Sequence, residues 1–379
     1  MPPPTDLSPF IAQLEDKGYC VIPNVVPKDL TTQARQLVDA IIGAPPPPSP
    51  SLGLEKVPTG PPGDPNARGQ PGPWPVKGDN RPTIQSGGYT HSLHHPMPDG
   101  DYGFSGLMAK ILQPYVQINA ALLRCPESEV PNLKLMQQFF RRTDRGPDPV
   151  HGSTRQGVPP RGWHMDQAFL PRHYESSPRQ MFYHTILACC PVVQDAAPFF
   201  TSTGSFKRAK QLSYSMTEEE QAAAVPYADM TRTKLGGVLS ELAQRDGGRA
   251  INPMNEDGIC AEYEEVHWAE GDLLVLDPMC THSGSSFGGG GEHDARYVLF
   301  SSLFHVSAIG STLSGLYNRT AVSPAWKFPS DLHDHLPREM RGLLEWELPD
   351  ELDQYTTQQL MKLEPAVGSR GTAGRAAKL

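Results

Sequence analysis

Residues 270–286, EGDLLVLDPMCTHSGSS, decide the fold. Gly271 and Asp272 supply a turn, Leu273, Leu274, Val275 and Leu276 form an uninterrupted apolar run, and Asp277-Pro278 stops it. Proline ends the run because it lacks a backbone donor for the ladder. A short apolar run closed at both ends by turn residues predicts a buried strand. Working outward, similar short runs recur at 19–22, 133–140, 183–190, 198–201, 265–268 and 297–304. Helical spacing is confined to the flanks. Residues 8–17 carry Phe10, Ile11 and Leu14 on one face, 28–42 carry Leu30, Ala34, Leu37, Val38 and Ile41, and 104–124 continues the pattern. Many short strands with turn signals, no alternation of strand and helix, and helices at the margins predict a mainly β fold with flanking helices. The expected core is a double-stranded β-helix of the jelly-roll or cupin-like kind.

The 379 residues suffice for one large domain. The 40 prolines are far above ordinary usage, but they cluster and so mark local loops. Residues 44–75, with PPPPSPS, TGPPGDP and PGPWP, cannot bury enough apolar surface to join a core and read as a surface insertion. Residues 1–330 are expected to form a single domain. Within it, 213–260 is a lid-like insertion containing a helical stretch at 216–246 broken near Pro226. Residues 331–379 are expected to be a helical extension, with Asp350 as a cap, followed by a flexible Gly/Ala-rich tail.

Several function classes are set aside by composition. A formal net charge of -9, with no basic run longer than a pair, argues against a phosphate-tracking nucleic-acid binder. No apolar stretch is long enough to span a membrane, and the MPPPTD opening lacks the features of a secretory signal. The six cysteines show no CxxC pair and read as inert thiols of a reducing compartment. The chain ends Ala377-Lys378-Leu379, close to the Ser-Lys-Leu address of the peroxisomal import receptor. A peroxisomal location is therefore expected, with the cytoplasm as the alternative.

Two segments carry chemistry. In Trp163-His164-Met165-Asp166, an imidazole and a carboxylate stand two residues apart. On a strand, such positions share a face and can occupy adjacent sites on one cation. His282 follows the Leu273–Leu276 run within the same segment and supplies a second imidazole. Arg296 stands 296 − 282 = 14 positions beyond it, with a planar fork suited to a carboxylate. Two histidines and one carboxylate on one face of an octahedron leave three positions open, the geometry of non-haem Fe(II) oxygenases. His173-Tyr174-Glu175 is a competing pair, placed lower by its loop-like Ser/Pro surroundings. His91, His94, His95, His151 and His184 read as structural.

These segments resemble the phytanoyl-CoA dioxygenase family of Fe(II)/2-oxoglutarate oxygenases. The resemblance is carried by FIAQLEDKGYCVIPNVVPKDL at 10–30, WHMDQAF at 163–169, STGSFK at 202–207, EGDLLVLDPMCTHSGSS, and ARYVLFSSLF at 295–304. It implies that His164, Asp166 and His282 bind iron and that Arg296 binds the distal carboxylate of 2-oxoglutarate. Gln137 or Gln138, and Ser283 or Ser285, would add contacts to the keto acid. Trp163, Gln167, Phe169 and Phe304 are candidate pocket residues. The implied cofactors are Fe(II), 2-oxoglutarate and O₂, with ascorbate as a supporting reductant.

The chain departs from the family's pattern in three places. Asp195-Ala196-Ala197-Pro198 stands where an Asn-Gly-x-Leu turn is common. The distal box reads His-Ser-Gly in place of His-Gly-Ser. The gap from His164 to His282 is 282 − 164 = 118 residues, longer than usual for the family. Asp166 argues against halogenation, because a carboxylate fills the position a halide would need. The expected reaction is hydroxylation of an aliphatic C–H in a small-molecule substrate, such as the α-carbon of a fatty acyl-CoA. Arg141, Arg142, Arg172, Lys207, Arg208 and Lys210 are candidate partners for CoA phosphates. The alternatives are a specialised-metabolite hydroxylase or desaturase acting on a small apolar compound, a cupin-type metal protein without a keto acid, and a non-catalytic jelly-roll binding protein.

Overall fold

The computed structural model describes residues 4–43, 83–87, 90–94, 104–145, 163, 183–215, 217, 219, 245, 263–285, 287–289, 292–305 and 332–344. At 41–43, 83–87, 90–94, 104, 136–139, 213–214 and 304 it describes the backbone alone. The expected 44–75 insertion, most of 213–260, Asp350 and Ala377-Lys378-Leu379 lie outside these residues.

The N-terminal part is as the sequence predicts: helix α1 (Ser8–Lys17), strand β1 (Tyr19–Ile22) and helix α2 (Lys28–Gly43). A hairpin of β2 (Thr83–Gly87) and β3 (Thr90–His94) follows. Only Ile84 and Leu93 are large apolar residues there, so alternation gives little signal of a strand. Next come helix α3 (Phe104–Leu122), a 3₁₀ turn η1 (Glu127–Asn132) and the long strand β4 (Leu133–Asp144). The remaining strands are β5 (His184–Ala188), β6 (Phe199–Thr201), β7 (Glu264–Val266), β8 (Leu273–Leu276), β9 (His282–Ser283) and β10 (Ala295–His305). Helix α4 (Ser205–Ser215) grows out of the STGSFK turn. Its Phe206, Ala209 and Leu212, three residues apart, are buried among basic neighbours. The C-terminal region contributes a short α5 (Leu332–His335) and a 3₁₀ turn η2 (Arg338–Leu343).

Among the described residues the strands form two sheets, ordered β1-β8-β5-β10-β4-β3-β2 and β7-β6-β9. Every ladder is antiparallel. Strand β4 runs beyond its expected end at 140, into what reads as loop. There β10 offers it a continuous partner, from Leu133 opposite His305 to Asp144 opposite Ala295. Pairing across the sheet thus overrides weak local propensity. The ladder shifts beside Ser302, where Ser302 faces Gln137 and Leu303 faces Leu135. Met136 is left over as a bulge.

Side chains separate cleanly by face. Tyr297, Leu299 and Leu303 of β10 pack with Val38 of α2 and Ile111 and Leu112 of α3. Val298 packs instead with Ile186, Leu274 and Leu276 of its own sheet and with Phe199 and Val266 of the other. The large sheet therefore has an outer face covered by helices and an inner face turned to the second sheet. This is the double-sheet, jelly-roll-like layering expected.

Two details join the sheets at their margins. Gly18, capping α1, has φ +86, and its carbonyl accepts the Asp277 N–H at 2.8 Å. A Cβ here would stand 2.5 Å from Phe206 Cδ1 and 3.0 Å from Cys280 Sγ, so both backbone conformation and space require glycine. Nearby, edge strand β1 meets edge strand β7. The Tyr19 hydroxyl donates to Glu264 at 2.7 Å and Lys17 Nζ lies 3.1 Å from the same carboxylate. The Tyr19 hydrogen bond, then the Lys17 charge, hold Glu264 below the ordinary carboxylate range. A lowered folded-state pKa contributes stability above the unfolded value, and that contribution is lost as pH falls through the folded value. Tyr19→Phe is expected to cost about 1 kcal/mol in denaturant unfolding at pH 7. The gap from wild type should narrow below about pH 4, and an equal gap at both pH values would contradict this link.

Candidate metal centre

His282 opens β9, where its Cα pairs with that of Thr201 in β6. Its ring is 4 % exposed and stacks on Phe199, with centroids 5.0 Å apart and planes at 26°. Ring Nδ1 lies 2.9 Å from the Cys280 carbonyl oxygen. A carbonyl only accepts, so Nδ1 bears the hydrogen, and in the neutral ring Nε2 carries the lone pair. A backbone carbonyl that sets the tautomer is the usual outer support of a metal-binding histidine. The donor chemistry at residue 282 therefore fits a divalent cation bound through Nε2.

Cys280, which supplies that carbonyl, is itself locked. Its sulfur lies 3.1 Å from Thr201 Oγ1 and 3.6 Å from Ser205 Oγ, and burial pushes its thiol up to about 11. Ser205 Oγ also accepts the Thr281 N–H at 2.9 Å. The loop before His282 is thus tied to α4 and β6 at Cys280 and to α4 at Thr281. Three further thiols are buried and held protonated as the sequence predicts: Cys20 is pushed up to about 12 by burial, and Cys189 and Cys190 are raised for the same reason.

His164 and Asp166 lie outside the described residues, as do Gln167, Phe169 and the competing pair His173 and Glu175. Trp163, immediately before His164, is described and 2 % exposed. It packs with Phe200 and Tyr263, its ring centroid 6.0 Å from that of Tyr263. Phe200 pairs with Ser283, next to His282. The chain therefore enters the His-Met-Asp triplet from an anchor on the same small sheet that carries His282. Trp163 has the environment of a packed wall residue, on the face of β6 opposite Phe199.

Arg296 belongs to the inner face of β10 and is 8 % exposed. Nη1 donates to the Ala197 carbonyl at 2.6 Å, and Nη2 donates to Thr143 Oγ1 at 3.2 Å, on the β4 residue paired with Arg296. Ser285 Oγ donates to the next carbonyl, that of Pro198, at 2.8 Å. The Asp195-Ala-Ala-Pro198 stretch is thus where Arg296 and Ser285 are both fastened. Asp195 and Ala197 take left-handed φ values of 64 and 55 there. Ser283 is fully buried, its hydroxyl donating to the Gly284 carbonyl at 2.9 Å. Gln137 and Phe304 are placed by backbone register alone, opposite Ser302 and Lys134. Ser302 Oγ lies 3.4 Å from Nδ1 of His184, which brings a histidine read as structural to the inner face of the large sheet.

Phe199, the Cys280 carbonyl, Thr143 and the 197–198 carbonyls are contributions the sequence reading did not single out. Alternation along the 198–201 run was the available signal for Phe199. The others depend on backbone oxygens or on a partner strand.

No family model and no curated protein matches the chain. Three solved structures show the level of similarity found. EvdO2 from Micromonospora carbonacea var. aurantiaca, complexed with 2-oxoglutarate, is 13 % identical with a TM-score of 0.42 over 80 % of this chain and 92 % of that one. The carbocyclase SnoK from nogalamycin biosynthesis is 12 % identical with a TM-score of 0.42 over 79 % and 85 %. HygX from Streptomyces hygroscopicus, with nickel and 2-oxoglutarate bound, is 12 % identical with a TM-score of 0.36 over 79 % and 87 %. The architecture assigned above rests on this chain's own strand register.

Phe199→Ala tests the support of His282. Loss of the buried ring is expected to cost about 3 kcal/mol of stability. Loss of the stack is expected to weaken Fe(II) binding about tenfold in anaerobic calorimetry. Unchanged Fe(II) affinity in the folded variant would show that the stack does not orient the ligand.

Proposed function

We propose that this chain is a non-haem Fe(II)/2-oxoglutarate-dependent oxygenase that hydroxylates an aliphatic C–H bond. The observation that carries the reading is His282, held in its ligating tautomer by a backbone carbonyl on the strand pair against which Trp163, and hence the entry to His164 and Asp166, is anchored. His164, Asp166 and His282 would hold the iron, and Arg296, steered by Ala197 and Thr143, would receive the distal carboxylate of the keto acid. The bound metal, 2-oxoglutarate and O₂ would supply C–H oxidation coupled to conversion of the keto acid to succinate and CO₂. The protein's share is to orient the imidazole, fix the guanidinium fork and exclude water between the two sheets.

The inner face also bears on the substrate. Of the basic residues considered for an anionic substrate, Arg142 is held by Asp39 and Asp144, Lys207 by Asp16, Arg208 by Gln211 and Lys210 by Asp277. Arg172 lies outside the described residues, and Arg141 stands on the inner face: its guanidinium lies 4.8 Å from the Phe300 ring centroid, and it pairs in register with Val298. This sets a cation against apolar inner-face side chains on the sheet that carries Arg296. An apolar chain ending in an anionic group, as in an acyl-CoA, fits that pairing better than a neutral metabolite does.

The test is succinate release with Fe(II), 2-oxoglutarate and O₂ across acyl-CoAs and neutral apolar compounds. Succinate formation is expected to require Fe(II) and an apolar substrate. Arg296→Lys, which loses the two-pronged grip, is expected to raise the 2-oxoglutarate concentration for half-maximal rate about ten- to a hundredfold. A folded protein that binds neither Fe(II) nor 2-oxoglutarate would overturn the oxygenase reading. Arg141→Ala is expected to raise KM for acyl-CoA selectively, and turnover confined to neutral compounds would overturn the substrate class alone.

A further inference from the structure

The outer face of the large sheet carries a second set of metal-ligand donors, independent of the proposed iron centre. Cys125, Glu129 and His305 place one sulfur, one carboxylate oxygen and one imidazole nitrogen within 4.8 Å of one another. His305 Nε2 lies 3.3 Å from Glu129 Oε2. Two such atoms on one tetrahedral Zn²⁺, each about 2.0–2.2 Å from the metal, stand about 3.4 Å apart. His305 is largely buried, while Cys125 and Glu129 are half-buried. A cation there is therefore screened on one side and reachable from the other.

Local backbone structure fixes two of the three donors. Helix α3 ends with Arg124 in the left-handed region, φ 51. Arg124 N–H returns to Ala121 O at 3.0 Å, and Cys125 N–H to Ala120 O at 2.8 Å, the paired bonds of a Schellman cap. The 3₁₀ turn η1 then starts, with Glu129 N–H bonded to Pro126 O at 2.8 Å. Cys125 and Glu129 are thus held four residues apart on a bonded connection. His305 comes to them at the end of β10, where it pairs with Leu133.

We propose that Cys125, Glu129 and His305 bind Zn²⁺, with water completing the coordination. Thiolate and imidazole select a borderline-soft cation over Mg²⁺ or Ca²⁺, and Zn²⁺ takes this mixed set at four-coordinate geometry. The proposed iron centre differs in kind, because its expected ligands include no thiolate. Arg296 and His305 are nine residue steps apart on one strand, about 30 Å, and they lie on opposite faces of the sheet. The cation's role is structural: it ties the α3–η1 connection to the last strand of the large sheet.

Co²⁺ is the probe, since a thiolate ligand gives it a near-ultraviolet charge-transfer band that a site of histidine and carboxylate lacks. Full-length protein stripped with a chelator is titrated with Co²⁺ and then challenged with Zn²⁺. The band is expected in wild type, is displaced by one equivalent of Zn²⁺, and persists in His282→Ala, which impairs only the proposed iron centre. It is expected to vanish in Cys125→Ser. His305→Gln and Glu129→Gln are expected to weaken Co²⁺ binding at least tenfold. Zn²⁺ is also expected to raise Tm of the His282→Ala protein but not of its Cys125→Ser derivative. No thiolate band in wild type, or a band that survives Cys125→Ser, overturns the proposal and leaves an ordinary His305–Glu129 ion pair beside a thiol.

Discussion

The alternation of side chains along β10 is the constraint on which the rest of the structure depends. This strand is hydrogen-bonded on both sides, to β4 along its whole length and to β5 over Val298–Phe300. A one-residue slip would send Tyr297, Leu299 and Leu303 into the space between the sheets and Arg296 and Val298 out against the helices. Burial of the odd-numbered residues under α2 and α3 therefore also dictates that Arg296 is an inner-face residue. Packing and placement of the charged group are one decision.

Several polar groups described on the inner face are held by specific partners. Arg296 is steered by a carbonyl and a hydroxyl, Ser285 by a second carbonyl, and the His282 ring by the Cys280 backbone on one edge and the Phe199 ring on its face. Burial without such partners would cost several kcal/mol for a charged group. The irregular stretch 195–198, with two non-glycine residues at positive φ, puts its carbonyls where Arg296 and Ser285 need them. A regular strand would direct those oxygens along a ladder instead. This is a physical reason for the irregular backbone at that place.

Much of this was legible in the sequence, and the limits have physical causes. Leu273–Leu276 reads as a strand because its apolar run is closed on both sides. His282 and Arg296 stand out because they follow that strand at short, fixed distances along the chain. What could not be read depends on pairing between distant segments. Phe199 meets His282 only because β6 pairs with β9, and Thr143 meets Arg296 only because β4 outruns its own propensity. Cys280 contributes a main-chain oxygen, which no residue type announces. The thiol of Cys125 looks inert in one dimension, and the hairpin 83–94 has too little alternation to declare itself. Trp163 illustrates a subtler limit: its place beside His164 invites a pocket role, while its ring packs into the wall with Phe200 and Tyr263.

The glycine that caps the first helix has a reach beyond its own turn. Its bare Cα lets Phe206 and the sulfur of Cys280 close in, and Cys280 in turn presents the oxygen that aligns His282. The opening helix of the chain is thus the backstop of the loop before His282, which arrives near the end of the domain. Enlarging residue 18 would leave His282, Arg296 and every charge of the chain unchanged, yet displace the imidazole by pressing on the loop from behind. The seating of residue 282 is set in part by the absence of a single methyl group far upstream.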